Sequence, residues 1–277
     1  MIESTEKLTV LHDDNGVFVN HTEDAADLTR DNFNLTLVAA EDYLYLGHYK
    51  PFGTLFAGII TGNTNSGSFA AEYYNGSTWV SLDLSDESRN FTREGYMFWN
   101  RDNMKSTSVN SVEAFYIRLR PDVDHSATVI RGINLIFADD SALKQEFFEV
   151  DNSNLLPPGE ISHLVHHVAA RNTIVQTLRN KNYKKHNEGS ARAEEINQWD
   201  LMDIFQVRQA ATMLALSKIF FTLSDSQEDT WWAKYEEYQR RYEHAFELIN
   251  LSVDTDNDGE EDINENQEQF KIMRWTR

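Results

Sequence analysis

Residues 72–80 read Glu-Tyr-Tyr-Asn-Gly-Ser-Thr-Trp-Val, and this stretch sets the expected fold of the first half of the chain. Asn75 and Gly76 accept the positive φ that a tight hairpin turn requires, and aromatic residues flank them on both sides. The two-residue period continues outward from there. Phe33, Leu35 and Leu37 alternate with Asn34 and Thr36, and Phe115, Ile117 and Leu119 alternate with Tyr116, Arg118 and Arg120. Ile133, Leu135 and Phe137 follow. Side chains two apart share a strand face, so each segment predicts a strand with one buried face. Most glycines fall before residue 150, at turn-like places such as Gly53, Gly62, Gly67 and Gly95. Residues 1–150 are therefore expected to form an antiparallel, jelly-roll-like β-sandwich.

The period lengthens after residue 150. Residues 151–159, with Pro157-Pro158-Gly159, read as a linker, because proline disfavours helix in the residue before it. Residues 160–253 then predict a helical bundle. A first helix begins at Glu160, with Ile161, Leu164, Val165, Val168, Val175 and Leu178 on one stripe. A second runs from Asp200 to Leu223. A third starts around Ser226, with Asp229 completing a capping box. Its residues Trp231, Tyr235, Tyr238, Tyr242, Ala245 and Ile249 recur at alternating spacings of four and three, a seam for packing on another helix. The fold class expected is α+β and multidomain: sandwich, linker, bundle, then residues 254–277 as an acidic loop and a basic-aromatic tail.

Composition narrows the function. The 277 residues carry 25 Lys+Arg against 45 Asp+Glu, a net charge of −20. That balance argues against a nucleic-acid coat or an anionic-membrane binder, both of which rely on basic contacts to phosphate. With no cysteine there is no disulfide framework, thiolate zinc site or cysteine nucleophile, which suits a reducing compartment. The longest apolar run, Met213 to Leu223, is interrupted by Ser217 and Lys218 and is shorter than the roughly 20 residues of a membrane span. The opening MIESTEKLTV is acidic where a secretory signal is basic. A Walker loop, a dinucleotide fingerprint, Gly-x-Ser-x-Gly and His-Glu-x-x-His are all missing, so the chain is not expected to be an enzyme.

Several clusters carry chemistry of their own. Asp254, Asp256, Asp258, Glu260, Asp262 and Glu265 surround Gly259 with the spacing of a calcium loop. A hard cation needs six to eight oxygens, which alternate residues of a tightly turned loop aim inward. Glu261 stands where an EF-hand places an apolar residue, and no second loop accompanies this one. The run thus looks more like the solitary loops of thrombospondin type-3 and dockerin modules; a solvated acidic loop is the other reading. His163 and His167 sit at i and i+4, a spacing that can share a metal, although packed histidines explain it equally simply. Arg171, Arg179, Lys181, Lys184, Lys185 and Arg192 form one basic stretch, either a contact for an acidic partner or phosphate backbone or an ordinary basic loop. Tyr73, Tyr74, Trp79, Tyr96, Phe98 and Trp99 suit a sugar platform or a strand core.

Two passages carry a resemblance to tailed-bacteriophage structural proteins. Leu44-Tyr-Leu-Gly47, Glu72 to Val80, Asn90-Phe-Thr-Arg-Glu-Gly-Tyr96 and Phe115-Tyr-Ile-Arg-Leu-Arg120 are similar to the β-sandwich of phage tail and neck proteins. Asp200-Leu-Met-Asp-Ile204, Ala210-Ala211, Leu214-Ala-Leu216, Tyr235 to Arg241 and Leu251-Ser-Val-Asp-Thr-Asp256 resemble head-to-tail connector (adaptor, or head-completion) proteins. The resemblance implies a virion protein, made in the host cytoplasm, that forms a homo-oligomeric, dodecameric ring under the portal and passes DNA without reading its sequence. The sandwich would lie outside the neck. Lys271, Arg274, Trp275 and Arg277 would dock the tail into a groove on the portal or a neighbour, since Trp and Arg make anchoring contacts. An acidic lumen would repel DNA phosphates. The alternative is a carbohydrate- or host-surface-binding sandwich on a helical stem, stabilised by calcium at 254–265.

Overall fold

The computed structural model describes residues 7–251, apart from 31, 181–183, 186–193, 202, 228 and 250. The fold is mixed α/β and the chain divides into two compact units, Met1–Ile136 and Phe137–Arg277. The change of period at residue 150 falls within the second unit.

The first unit holds β1 (Thr9–Asp14), β2 (Val17–Asn20), α1 (Thr22–Ala26), β3 (Phe33–Leu35), β4 (Tyr43–His48), β5 (Thr54–Thr61) and β6 (Phe69–Tyr74). It continues with β7 (Trp79–Leu82), β8 (Ser85–Asp86), β9 (Gly95–Phe98), β10 (Ser106–Val109), β11 (Val112–Pro121) and β12 (Thr128–Asn134). These strands build two antiparallel sheets. One has the order β2-β1-β4-β11-β6-β7, with β10 also paired to β11; the other runs β3-β12-β5-β9-β8. The alternation in β4 and β11 decides which face is core. Leu44, Leu46, Ile117 and Leu119 share one face and are wholly buried, whereas Tyr43, Arg118 and Arg120 are only half-buried on the other.

The Asn75-Gly76 hairpin is present, with a longer loop than a two-residue turn. Tyr74 pairs with Trp79, so Asn75–Thr78 form the connection. Asn75 N–H donates to the Thr78 carbonyl at 3.1 Å, and Asn75 Oδ1 accepts from both Ser77 N–H and Thr78 N–H at 3.0 Å. Gly76 takes φ +100°, which the missing Cβ permits. Gly47 has a different role: a Cβ there would stand 2.2 Å from Cε1 of the fully buried Tyr116 ring. Strand β4 carries glycine at that point because the ring lies directly over its backbone.

The second unit contains α2 (Asp140–Glu146), a 3-10 turn at Phe148–Asp151, α3 (Leu164–Asn180), the two-residue strands β13 (Lys184–Lys185) and β14 (Glu194–Glu195), a 3-10 turn at Gln198–Asp200, α4 (Phe205–Leu223) and α5 (Thr230–Glu247). Helix α4 is apolar over much of its circumference and packs against α2, α3 and α5. Val207, Ala210, Ala215, Leu216, Ile219 and Phe220 are each at most 1% exposed. The α5 seam is present in its second half, where Tyr238, Tyr242 and Ala245 are buried together with Phe246.

Three helix starts differ from the sequence expectation. Helix α3 begins at Leu164, after the prolines, and Ile161 is 65% exposed rather than part of its buried stripe. Residues 197–200 form a separate capped turn, in which Asn197 Oδ1 accepts from Trp199 N–H and Asp200 Oδ2 accepts from Asn197 N–H, so α4 starts later. Asp229, not Ser226, caps α5: its Oδ1 accepts from Trp232 N–H at 2.7 Å. A carboxylate accepts this bond more strongly than a hydroxyl does and suits the positive end of the helix dipole.

Candidate functional site

Two surfaces and one buried cluster stand out. The first surface is the half-buried face of the larger sheet in the first unit. Register brings four adjacent strands together there: Arg118 of β11 lies opposite Tyr45 of β4 and Glu72 of β6, while Tyr74 of β6 lies opposite Trp79 of β7. The Arg118 guanidinium carbon is 4.5 Å from the Tyr43 ring centroid and 4.5 Å from that of Trp79. A cation at that distance over two aromatic faces is attracted to both. Arg118 Nε donates to Glu72 Oε2 at 2.7 Å, and Arg120 Nη1 donates to the Tyr43 hydroxyl at 3.3 Å. Burial disfavours the charge on Arg118, but hydrogen bonds to Tyr45 and Glu72 outweigh it and raise its pKa. Beneath them Leu11, Tyr45, Val109, Ala114 and Tyr116 form a buried cluster. Burial pushes the Tyr45 phenol up and the Tyr116 phenol up to about 12, so both stay protonated.

The aromatic residues proposed from sequence as one platform are thereby divided. Tyr74 and Trp79 belong to this face; Tyr73 pairs with Ile117 and so lies on the opposite, core side of the sheet. Tyr96 and Phe98 are on β9 of the other sheet, Tyr96 is buried against Phe56, and Trp99 is buried against Phe52. Tyr43, Glu72 and Arg118 complete the face in their place. Their signal in the sequence was the alternation itself, but only strand register shows that they meet.

The second surface belongs to the helical unit. Phe148 is 79% exposed, Leu248 68% and Phe221 53%, with Phe205 and Val165 also exposed. At the α4–α5 turn Phe221, Trp232 and Tyr235 touch one another, with ring centroids 5.0–6.3 Å apart. Between α2 and α4 an open groove of about 300 Å³ is lined mostly by polar residues, Gln145, Glu146, Arg208, Gln209 and Thr212, with Phe205 and Met213 among its apolar ones. Scattered exposed apolar residues are ordinary, but a group of aromatic side chains at one helix turn is the kind of surface that protein contacts use.

The buried cluster explains the histidines at the start of α3. His163 N–H donates to Asp140 at 3.2 Å, His167 Nε2 lies 2.8 Å from Asp140 Oδ1, and His163 Nε2 lies 3.1 Å from the Val150 carbonyl. Asp140 thus ties α2 to the first turn of α3, and His163 and His167 are used in packing rather than set around a common metal position. Burial lowers the pKa of His163 and lowers that of His166 to about 4. Asp140 is lowered as well: burial opposes its charge, and the His167 bond overcomes that opposition. Among the described residues no group of three or more His, Asp or Glu is placed to hold a metal ion.

The other sequence candidates are placed less completely. Arg179 Nε donates to the Ile196 carbonyl at 2.7 Å, and Arg171 Nε bonds Asn172 Oδ1 at 3.1 Å. Lys184 and Lys185 pair in backbone register with Glu195 and Glu194 of β14. Lys181 and Arg192 lie outside the described residues, as do Asp254, Asp256, Asp258, Glu260, Asp262 and Glu265 of the calcium-type loop. Lys271, Arg274, Trp275 and Arg277 of the tail are outside them too. Among the described residues no helix is long and apolar enough to cross a membrane.

Comparison with known proteins adds little. No protein-family model matches the chain, and no curated protein matches it. Among solved structures it is similar to a family 89 glycoside hydrolase from Clostridium perfringens in complex with 2-acetamido-1,2-dideoxynojirmycin, at 12% identity and a TM-score of 0.27. The match covers 64% of this chain and 20% of that one, so this chain spans about a fifth of that protein. Similarity at this level assigns neither fold nor function.

Proposed function

We propose that this protein is a virion structural subunit of a tailed bacteriophage, a ring-forming head-to-tail connector that joins the portal to the tail or neck and lines the DNA exit channel. In this reading the two sheets stack as a jelly-roll-like sandwich on the outside of the neck. Helices α2 to α5 form the bundle that makes the ring. The observation that carries the reading is the apolar surface of the helical unit, above all the exposed Phe221 with the half-buried Trp232 and Tyr235 at the α4–α5 turn, and the exposed Phe205 in the α2–α4 groove. Two different surfaces on one protomer, an aromatic cluster at one end of α4 and a mixed polar and apolar groove at the other, suit a head-to-tail interface, which closes into a ring when its rotation permits. The net charge of −20 suits a channel that DNA slides through without adhering. The sequence resemblance to connector proteins supplies the partners: portal on one side, tail or neck proteins on the other.

Phe221→Asp tests the assignment, with sedimentation velocity as the readout. The wild-type chain, alone or with portal, is expected to sediment as a multimer. The variant is expected to sediment as a folded monomer with an unchanged far-UV spectrum. A wild-type multimer indifferent to Phe221→Asp and to Phe205→Asp would move the interface elsewhere.

A further inference from the structure

We propose that the Tyr43–Arg118–Trp79 face of the larger sheet binds a neutral pyranoside. This inference is independent of the connector reading, because it concerns the first unit alone. Its basis is a combination of groups that saccharides require. A pyranose offers an apolar C–H face and a row of hydroxyls, so its sites pair an aromatic surface with adjacent hydrogen-bond donors and acceptors. Trp79 and Tyr43 supply the rings, both half-buried and each with the Arg118 guanidinium over one face, which leaves the other face for stacking; Arg118 and Glu72 supply a donor and an acceptor 2.7 Å apart between them. Glu72 Oε2 receives the Arg118 bond, and its second oxygen carries no hydrogen bond among the described residues, with the side chain 30% exposed. That oxygen can accept from one hydroxyl while the guanidinium donates to its neighbour, the pattern that holds a vicinal diol.

The ligand's charge follows from the same geometry. Glu72 already neutralises Arg118, and the first 150 residues carry 23 acidic against 11 basic side chains. A sulfated or uronic sugar would meet a net negative field in which Arg118 is already paired and Arg120 is turned to the Tyr43 hydroxyl, so the chemistry favours a neutral sugar. Rigidity supports the assignment. The rings rest on the buried Tyr45 and on Tyr116, which is wholly buried, and these fix the rings before any ligand arrives and reduce the ordering cost of binding. A cross-strand ladder with a packing role alone would need none of the exposed acceptor capacity.

Saturation-transfer NMR of the full chain with methyl glycosides of glucose, galactose, mannose and their N-acetyl derivatives, each at millimolar concentration, tests the proposal. At least one is expected to receive saturation and to quench tryptophan fluorescence. Trp79→Ala is expected to weaken it by about ten-fold or more, the equivalent of one lost stacking contact. Glu72→Gln, which keeps the shape and removes the carboxylate, is expected to weaken it similarly while the melting temperature shifts little. Should Trp79→Ala fail to fold, Glu72→Gln decides alone. No binding by any of these sugars, or binding that survives both substitutions in folded protein, overturns the proposal.

Discussion

Acidification is expected to loosen the helical unit, with His166 as the group that sets the pH range. His166 is buried on α3 beside His163, with ring centroids 5.6 Å apart, and Asp140, His167 and Lys218 also act on it. Burial is the largest influence, followed by repulsion from His163, and together they bring its pKa from 6.5 to about 4. The folded state therefore holds the ring neutral while the unfolded chain protonates it near 6.5. The stabilisation is complete above pH 6.5 and is lost as pH falls towards 4. By linkage, this one residue removes about 2 kcal/mol at pH 5 and about 3 kcal/mol at pH 4. His163 shifts in the same direction and adds to the loss. Asp140, whose pKa is lowered, contributes stability that disappears only below the usual carboxylate range, so the two effects separate in pH. Urea unfolding followed by far-UV circular dichroism at pH 7.5 and 5.0 measures this. His166→Met, which retains the volume without the titration, is expected to reduce the acid sensitivity by about 2 kcal/mol at pH 5. An imidazole that titrates near 6.5 by NMR, or equal pH dependence in variant and wild type, refutes the reasoning.

Other outcomes follow from single contacts. Gly47→Ala forces a Cβ against the buried Tyr116 ring and is expected to destabilise the first unit by about 1–3 kcal/mol, read from chemical unfolding of the variant. Asp229→Ala removes the N-cap of α5 and is expected to lower the melting temperature, with Asp229→Ser restoring most of it. Calcium is expected to give measurable heat at roughly millimolar concentration in calorimetric titration and to raise the melting temperature, effects that Asp254→Asn with Asp258→Asn abolishes. No heat, or a melting temperature unchanged by EDTA, would show that residues 254–265 do not bind calcium.

The strands were legible because their burial is one-sided. In Phe115–Arg120 the alternation of Ile117 and Leu119 with Arg118 and Arg120 gave the buried face directly. What that alternation could not give was the neighbour: Arg118 meets Glu72 because β11 pairs with β6, and Trp79 because β7 pairs with β6 in turn, and both residues lie more than thirty positions earlier in sequence. The division of the aromatic residues failed for the same reason, since Tyr73 and Tyr74 are adjacent in sequence yet lie on opposite faces of one strand. Helix α4 was easy to find and hard to bound, because a segment apolar on nearly every side has no stripe to mark its start. His163 and His167 had the spacing of a metal pair; Asp140 on another helix determines their packing role, and periodicity carries no trace of that contact.

Ring formation through the helical unit can be read directly by native mass spectrometry of the chain with and without portal protein. A single closed assembly with one defined subunit number is expected, twelve by the connector resemblance, visible as rings in negative stain. A chain that stays monomeric at micromolar concentration with portal present contradicts it.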